Sequence, residues 1–568
     1  MMQGEQNSLL QRAQNVVWLL VGAVAFLSYG YTEMAGSDMW WHVAAGRELL
    51  QTGTIWMVDD WSYSAAGHDW LNHEWFADVL YWLWVDAFGV ASLVYWKWLV
   101  VIATFTMLQI ALWRQTGNAA AATICAVLAA AIAGPFIDVR PHLYTLLLFA
   151  GLIALLLQRR QPLWLLAGYF VLWVNLHGGF FFGLMALGIL IFPWRALSVD
   201  SFKGALLIGL VCAAVCVLNP AGLGTFLYPL KYAFDETSPY KQLAEWLSPF
   251  QPGGIVSPLY FIFMWAPLIT VVYLIPWVRR QTGVPWEGIA LTGLTLAMSL
   301  TSRRFITIYA ISLALLLAPL VALILRRLWF QGAGWALAAI VAVFGIVRMQ
   351  PYPLASAPAF HYLTAEYSYP QELLNYVEVN GLSGNVYALY NWGGYIHWRT
   401  DGVLKVYIDG RADTIYSGAN YLQYVSVLRG EPGWLQAVEA TGAEFFMWPN
   451  QRYGGQAKLQ AFQESGRWRP VYRDATGYLL ARVDKELPST VLQTPVTALK
   501  RLSVAQMAQG SGDHKRAIRI GDTVLEEMPY QLLACNLVAH SYRSLNQAAG
   551  AEQTITRCRD QFPSNFLQ

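Results

Sequence analysis

Apolar runs close to the length of a bilayer crossing recur from residue 15 to residue 348, and none follows. A helix needs ~20 apolar residues to cross the hydrocarbon layer. The runs lie at 15–34, 90–113, 118–136, 143–158, 163–176, 179–192, 204–219, 259–277, 288–302, 305–325 and 332–348, eleven in all. The pair 163–176 and 179–192 is short and flanks Asn175-Leu176-His177-Gly178-Gly179, a turn sequence, so it also reads as one broken helix. Only 13% of the 568 residues are charged, about half of what a soluble chain carries. The first run meets Gly36 without a small-residue cleavage site, so it is expected to stay as an anchor rather than leave as a signal peptide. The net charge of +2 gives no case for nucleic acid.

Charge orients the spans. With the N-terminus inside, the inside loops hold Arg12, Arg114, Arg159, Arg160, Arg195, Lys203, Arg279, Arg280, Arg326 and Arg327, whereas most acids fall outside. That is the positive-inside pattern. An odd number of spans then places everything after Arg348 outside, in the periplasm of a bacterium whose inner membrane holds the bundle.

Residues 1–348 are expected to form the membrane domain, with a large first outer loop over 35–89. Pro351, Pro353 and Pro358 mark a linker, and 349–490 reads as an outer α/β domain. In it VYALYNWGGYIHW and KVYIDGRADTIY read as strand–turn segments and EPGWLQAVEATG as a helix. Asp409-Gly410-Arg411 reads as a tight turn between strands, with a salt bridge or an active role as its use. The tail, 491–568, reads as two helical hairpins about 34 residues apart, the period of tetratricopeptide repeats, and is expected to pack on the domain before it. Of five cysteines, Cys125, Cys212 and Cys216 lie in apolar runs and no spacing resembles a zinc site. Cys535 and Cys558 stand about equally far from the expected hairpin turn near Gln547–Gly550. In an oxidising compartment they are expected to form a disulfide, the alternative being two buried thiols.

The richest polar stretch is Gly36–Tyr81, with Asp38, Glu48, Asp59, Asp60, Asp69, Glu74 and Asp78, three histidines, and tryptophans at 40, 41, 56, 61, 70 and 75. It suits a site holding a polar group beside lipid, or an amphipathic loop with its indoles at headgroup level. Further polar residues stand where spans meet the outer surface: Asp138, Arg140 and His142; Asn175 and His177; Asn219; Glu245; Arg303 and Arg304. Charges at span ends default to functional candidates, since they are costly unless solvated or paired. Asp38 and Glu74 are the candidate catalytic acids, able to take a proton from an acceptor. Arg140, Arg303 and Arg304 could hold a phosphate through paired hydrogen bonds. His42, His142 and His177 could bind a metal, but lack an i,i+4 pair and are better suited to hydrogen-bonding a phosphate or hydroxyl.

The segments GSDMWWHVAAGRELLQTG and DDWSYSAAGHDWLNHEW, followed by VRPHLYTLLL, WVNLHGGFFFGL, LNPAG, AEWLSP, SRRF, YNWGGYIHW and YIDGRAD, together resemble the GT-C superfamily of bacterial membrane glycosyltransferases over roughly residues 15–415. The resemblance implies transfer of a sugar from a polyprenyl-phosphate or diphosphate donor to a protein, lipid or polysaccharide acceptor outside the membrane, with Asp38 as the acid of the first outer loop. Tyr390-Asn391-Trp392-Gly393-Gly394-Tyr395 is similar to the Trp-Trp-Asp-Tyr-Gly acceptor-reading motif of oligosaccharyltransferase catalytic subunits. That likeness implies acceptor contacts by Tyr390, Asn391 and Trp392, and a divalent cation, magnesium or manganese, on Asp38, Asp138 and Glu245. Asn391 stands where the motif has aspartate, and Asp138 stands alone where the family has paired acids; both departures bear on N-glycosylation and on metal use. The rival readings are a flippase for lipid-linked glycans and a non-catalytic scaffold recruiting a protein through the tail. Transporters carry internal repeats and midplane polar sites, and neither is visible here.

Overall fold

A computed structural model of the chain describes residues 2–30, 36–70, 72–157, 161–234, 238–328, 333–349, 369–488, 497–529 and 531–559. Arg159, Arg160 and the Pro351–Pro358 linker lie outside the described residues. The chain divides into two compact units, Met1–Thr32, His73–Ala77 and Leu93–Met349 in one, and Glu33–Asn72, Asp78–Ser92 and Gln350–Gln568 in the other. Most of the first loop therefore folds with the C-terminal half rather than with the helices that flank it in sequence.

The first unit is helical. Among the described residues, four helices are long and apolar enough to cross a membrane: Arg12–Gly30, Leu93–Thr116, Ala119–Phe136 and Arg303–Arg327. The segment Pro258–Leu274 with Pro276–Thr282 passes the same test only as a pair bent by 100°. The break falls at Pro276, which has no amide hydrogen for the ladder. The other expected runs also fold as helices, but shorter ones: His142–Leu156, Leu163–Leu176, Phe180–Ile191, Val199–Val215, Trp286–Thr301 and Ala333–Met349. His177–Gly179 separate the second and third of these. Helix Leu223–Phe234 lies in a stretch with no expected span.

Close packing in this unit uses small residues and buried polar links, as helices do when burial alone gives no drive to associate. A Cβ on Gly288 would lie 3.0 Å from the Leu315 backbone, and one on Gly22 would strike the Gln109 amide at 2.7 Å. Gln109 Nε2 donates to the Trp18 carbonyl (2.9 Å) and to Thr123 Oγ1 (2.6 Å). Helix Val199–Val215 buries only Cys212, while Leu206, Leu207 and Leu210 are exposed. An apolar face of this kind suits hydrocarbon rather than water.

The second unit contains a small hairpin, β1 Met57–Val58 with β2 Asp69–Trp70, and a five-stranded sheet. The strands are β3 Gly384–Ala388, β4 Leu404–Val406, β5 Phe445–Pro449, β6 Trp468–Arg473 and β7 Gly477–Arg482, in the order β4-β3-β5-β7-β6. β3 pairs parallel with β4 and β5; β7 pairs antiparallel with β5 and β6. The open edge at β4 is covered by the first loop. Ser62 bridges Val406, Val406 N donates to the Trp61 carbonyl (3.1 Å) and Tyr63 N to the Val406 carbonyl (3.1 Å). An edge strand left bare would invite pairing with another chain.

The expected strand–turn VYALYNWGGYIHW is corrected: β3 ends at Ala388 and Tyr390–Thr400 is a helix. EPGWLQAVEATG does contain a helix, Trp434–Ala440. The tail forms four helices, Ala498–Gly510, His514–Glu527, Leu532–Ser544 and Ala548–Arg559, in which the first and third begin 34 residues apart, as do the second and fourth. Lys500 fixes the tail to the sheet, donating to the Arg473 carbonyl (2.7 Å) above the Tyr472 ring. A disulfide joins Cys535 to Cys558, with Cα atoms 6.3 Å apart. Closing a loop of this size is worth about 3 kcal/mol on chain-entropy grounds.

In the β6–β7 turn, Asp474 is fully buried; Oδ1 accepts from Thr476 N (2.7 Å) and Gly477 N (3.0 Å), and Oδ2 has no partner among the described residues. Burial pushes its carboxyl up to about 7, against the pull of those amides. A carboxyl raised in the folded state contributes stability that is fully present below the usual carboxylate range and is lost as pH rises to about 7. Asp474→Asn keeps the acceptor oxygen and removes the titration. Thermal unfolding from pH 5 to pH 7 should show wild type falling relative to the variant, by about 1.4 kcal/mol for each step of one in pH. Parallel pH profiles would rule out a raised Asp474.

Candidate functional site

Two polar clusters lie in the first unit. In the first, the loop bearing AEWLSP lies against SRRF by backbone: Arg304 N and Ser302 Oγ both bond the Glu245 carbonyl (3.2 and 3.0 Å), and Arg303 N bonds that of Leu247 (3.0 Å). This registry sets the Glu245 carboxylate between two guanidiniums, with Arg140 Nη1 2.6 Å from Oε2 and Arg304 Nη1 3.5 Å from Oε1. Arg304 also lies over the Trp246 ring, 4.6 Å from its centroid. Burial would raise the Glu245 carboxyl, but Arg140 and Arg304 overcome it and hold it down to about 2. Both guanidiniums keep about a third of their side chains open, 31% and 33%. The two guanidiniums are thereby held beside one carboxylate, each with part of its side chain open.

Glu245, expected as a metal ligand, here stands as a counter-ion to arginines. Asp138 is half-buried, with Oδ1 accepting from Val139 N (2.7 Å). Among the described residues no three His, Cys, Asp or Glu side chains gather as a metal group. Arg303 is 1% exposed and turned into the 244–254 loop, where its Nη2 donates to the Gln251 carbonyl, whereas Arg304 is part-exposed.

The second cluster centres on His177. Nδ1 accepts from Gly179 N (2.9 Å) and faces the Thr145 hydroxyl (2.8 Å), which in turn accepts from Trp173 Nε1 (3.0 Å). With Nδ1 accepting, the proton sits on Nε2, 3.4 Å from Glu74 Oε1. His73 Nε2 lies 3.8 Å from the same oxygen. Gly179 must be glycine, because a Cβ there would lie 2.1 Å from Thr145 Oγ1. Asn175 and Asn219 hold the surrounding backbone: Asn175 Oδ1 accepts from Trp75 Nε1 (2.8 Å) and Asn219 Nδ2 (3.3 Å). The two clusters are joined by helix His142–Leu156. His142, whose Nε2 bonds the Phe136 carbonyl (3.0 Å), is three residues from Thr145, so the two are neighbours on that helix. Thr145 carries no charge and belongs to no motif, so nothing in the sequence singles it out.

The second unit holds the remaining candidates. Asp38 begins helix Asp38–Thr52, is nearly buried, and lies where a Cβ on Gly410 would be 2.7 Å from its Oδ1. His42 is 1% exposed, with Nδ1 2.6 Å from Asp78 Oδ1, and Asn72 holds the other Asp78 oxygen at 2.6 Å. His42, expected to contact a phosphate, is here part of a buried pair with Asp78. Of the three residues expected to contact an acceptor, Tyr390 and Trp392 are buried and Asn391 is exposed.

Asp409-Gly410-Arg411 forms the core of a buried ion network. Arg411 forks onto Asp409 (Nε–Oδ1 3.0 Å, Nη2–Oδ2 2.8 Å) and donates to the Tyr416 hydroxyl (3.0 Å). Its Nη1 lies 2.7 Å from Asp59 Oδ1, an ion pair by distance whose N–H is not aligned as a hydrogen bond. The guanidinium is covered by Trp61 (4.2 Å) and Trp70 (5.0 Å). Beside it, Glu48 accepts from Trp61 Nε1 (2.8 Å) and His397 Nε2 (2.7 Å), and His397 stacks on Trp61 at 3.8 Å. Burial pushes the His397 imidazole below its usual range, so it pairs with Glu48 as a neutral donor. The turn opens into the short helix Ala412–Thr414, not into a second strand, and of its expected uses the salt bridge is the one seen.

No protein-family model matches the chain, and no curated protein matches it.

Arg411→Lys keeps the charge but cannot fork onto Asp409 while reaching Asp59. Breaking a buried pair costs about 3–5 kcal/mol, so the variant should unfold at lower temperature and expose cleavage sites within 36–70 to limited proteolysis. A wild-type melting temperature with wild-type protection would show that the network is not what holds this segment.

Proposed function

We propose that this chain is a membrane glycosyltransferase of the GT-C type, taking a sugar from a polyprenyl-phosphate or diphosphate donor on the outer face of a bacterial inner membrane. The reading takes the eleven apolar runs as spans, the N-terminus as cytoplasmic, and the α/β domain with its helical tail as periplasmic. The observation that carries it is the Arg140–Glu245–Arg304 cluster, where two part-exposed guanidiniums flank the Glu245 carboxylate. Such a pair meets the oxygens of a lipid phosphate and neutralises the charge that builds on it as the glycosidic bond breaks.

The Glu74–His177 pair supports the other half of the reaction. Glu74 takes the proton of the acceptor O–H or N–H; the freed electron pair forms the bond to the sugar C1; the C1–O bond to phosphate breaks and its electrons leave with the lipid phosphate. His177, its Nε2 proton fixed by the bonds at Nδ1, orients the Glu74 carboxylate. Asp38 remains the other candidate base. A divalent cation would add charge stabilisation at the phosphate if Asp138 took part in holding it.

Membranes carrying the protein should consume a labelled polyprenyl-phosphate sugar. Arg304→Lys should raise KM for the donor about tenfold by losing the fork, and Glu74→Gln should lower kcat by ~10²-fold or more. A loss of that size in Asp38→Asn with Glu74→Gln unaffected would move the base role to Asp38. Wild-type turnover in all three variants, or no donor use by wild type, would end the reading.

The orientation is tested separately. Alkaline phosphatase fused after Arg348 should be active and a cytoplasmic reporter at the same site inactive. The reverse result would place the α/β domain inside and remove it from periplasmic chemistry.

A further inference from the structure

The second unit contains a cavity of about 270 Å³ that none of the roles above uses. One wall is a packed cluster of aromatic rings built on Trp40. The Trp40 ring lies 4.7 Å from Tyr395, 4.8 Å from Trp398 and 5.3 Å from Tyr369, and Tyr369 lies 4.9 Å from Tyr395. Gln371 and Arg399 also line it. Arg399 is fixed from behind: Nη2 donates to Asn375 Oδ1 (2.9 Å) and to Glu378 (3.2 Å), and Nη1 to the Tyr395 hydroxyl (3.2 Å).

Trp40 is 3% exposed, yet its indole N–H has no acceptor among the described residues. That nitrogen is itself inaccessible, so Trp40 serves as packed support for the rings around it rather than as a donor to the cavity. Trp398, by contrast, is half-buried and presents part of its surface.

We propose that this cavity binds one pyranose ring of a saccharide. A sugar ring has a C–H face that packs on an aromatic surface and an equatorial rim of hydroxyls that need donors and acceptors. Trp398 supplies the surface, backed by the packed rings of Trp40, Tyr369 and Tyr395; the Gln371 amide and the Arg399 guanidinium supply the rim. A quaternary ammonium is disfavoured, although aromatic boxes suit such cations, because Arg399 already places a positive charge at the wall, 6.0 Å from the Tyr395 centroid. An acyl chain would leave the polar rim unpaired. The size suits a single ring, below the usual range of about 300–1,000 Å³ for drug-sized sites. The purpose of the site, holding a glycan acceptor or product, rests on the glycosyl-transfer reading; the binding itself does not.

Saturation-transfer NMR on the full chain in detergent, with the methyl glycosides of glucose, galactose, mannose and N-acetylglucosamine, tests it. At least one glycoside should receive saturation at its ring C–H protons, Trp398→Ala should weaken it about tenfold or more, and Trp398→Phe should restore part of the loss. No transfer to any of the four, equal binding by Trp398→Ala, or displacement by choline at matched concentration would overturn the proposal. The two readings fail separately. Donor turnover without glycoside binding removes the cavity and keeps the enzyme; glycoside binding lost in Trp398→Ala without turnover of any polyprenyl donor keeps the cavity and removes the enzyme.

Discussion

A fully buried guanidinium has to be neutralised where it stands, and in this protein that requirement joins two remote stretches of chain. Arg411 and Asp409 come from the turn after β4, and Asp59 comes from the first loop. The indoles of Trp61 and Trp70 complete the enclosure from the same loop. The neighbouring contacts follow from bringing these surfaces together. Gly393 approaches the Asp409 backbone, Gly394 approaches Trp41, and Gly410 approaches both Asp38 and Trp41, all at distances that leave no room for a side chain. The glycines of NWGG and DGR thus serve a tightly fitted interior. The aromatic cluster on Trp40 depends on it too, since Trp40 comes from the first loop and its three ring partners from beyond residue 368.

The helical unit was legible because hydropathy needs no partner to be read. Every expected run coincides with helical structure, while among the described residues only four helices reach a length and apolarity that cross a membrane without a break. Pro276 and the His177–Gly179 turn are visible in sequence as breakers, but the angle they produce is not. The pairing of Cys535 with Cys558 was legible from their positions about the hairpin turn. The helix Tyr390–Thr400 was not, because aromatic residues and two adjacent glycines carry strand and turn propensity, which tertiary packing overrode. Nor could sequence show that an aromatic, acidic loop would cap the edge strand of a sheet that begins at Gly384.

The candidate site divides along the same line. Arg140, Glu245 and Arg304 stand out as charges beside apolar runs, and the structure brings them together. Arg303 and Arg304 are indistinguishable in sequence, yet the backbone registry with Glu245 and Leu247 turns one inward and leaves the other part-exposed. Thr145 was invisible because a threonine one turn into an apolar helix is ordinary until His177 is seen opposite it. His42 looked like a surface imidazole, but Asp78 and Asn72 close it into the interior through side chains that no spacing rule connects.

The β-edge pairing of the first loop has a consequence for how the protein is made. Asp60 and its partner Lys405 are 345 residues apart in sequence. Closing so long a loop costs little more free energy than closing a shorter one, since the penalty grows only logarithmically. Time is the larger obstacle. At roughly 5–20 residues per second, the ribosome delivers Lys405 tens of seconds after Asp60. Throughout that interval Asp59 lacks its arginine, and Trp61 and Trp70 lack the surface that buries them. Half of a domain is therefore born early and waits for the other half while the helical unit is synthesised. The waiting segment is where this chain is most exposed to aggregation and proteolysis, and where a chaperone or the nearby lipid would have the most to protect.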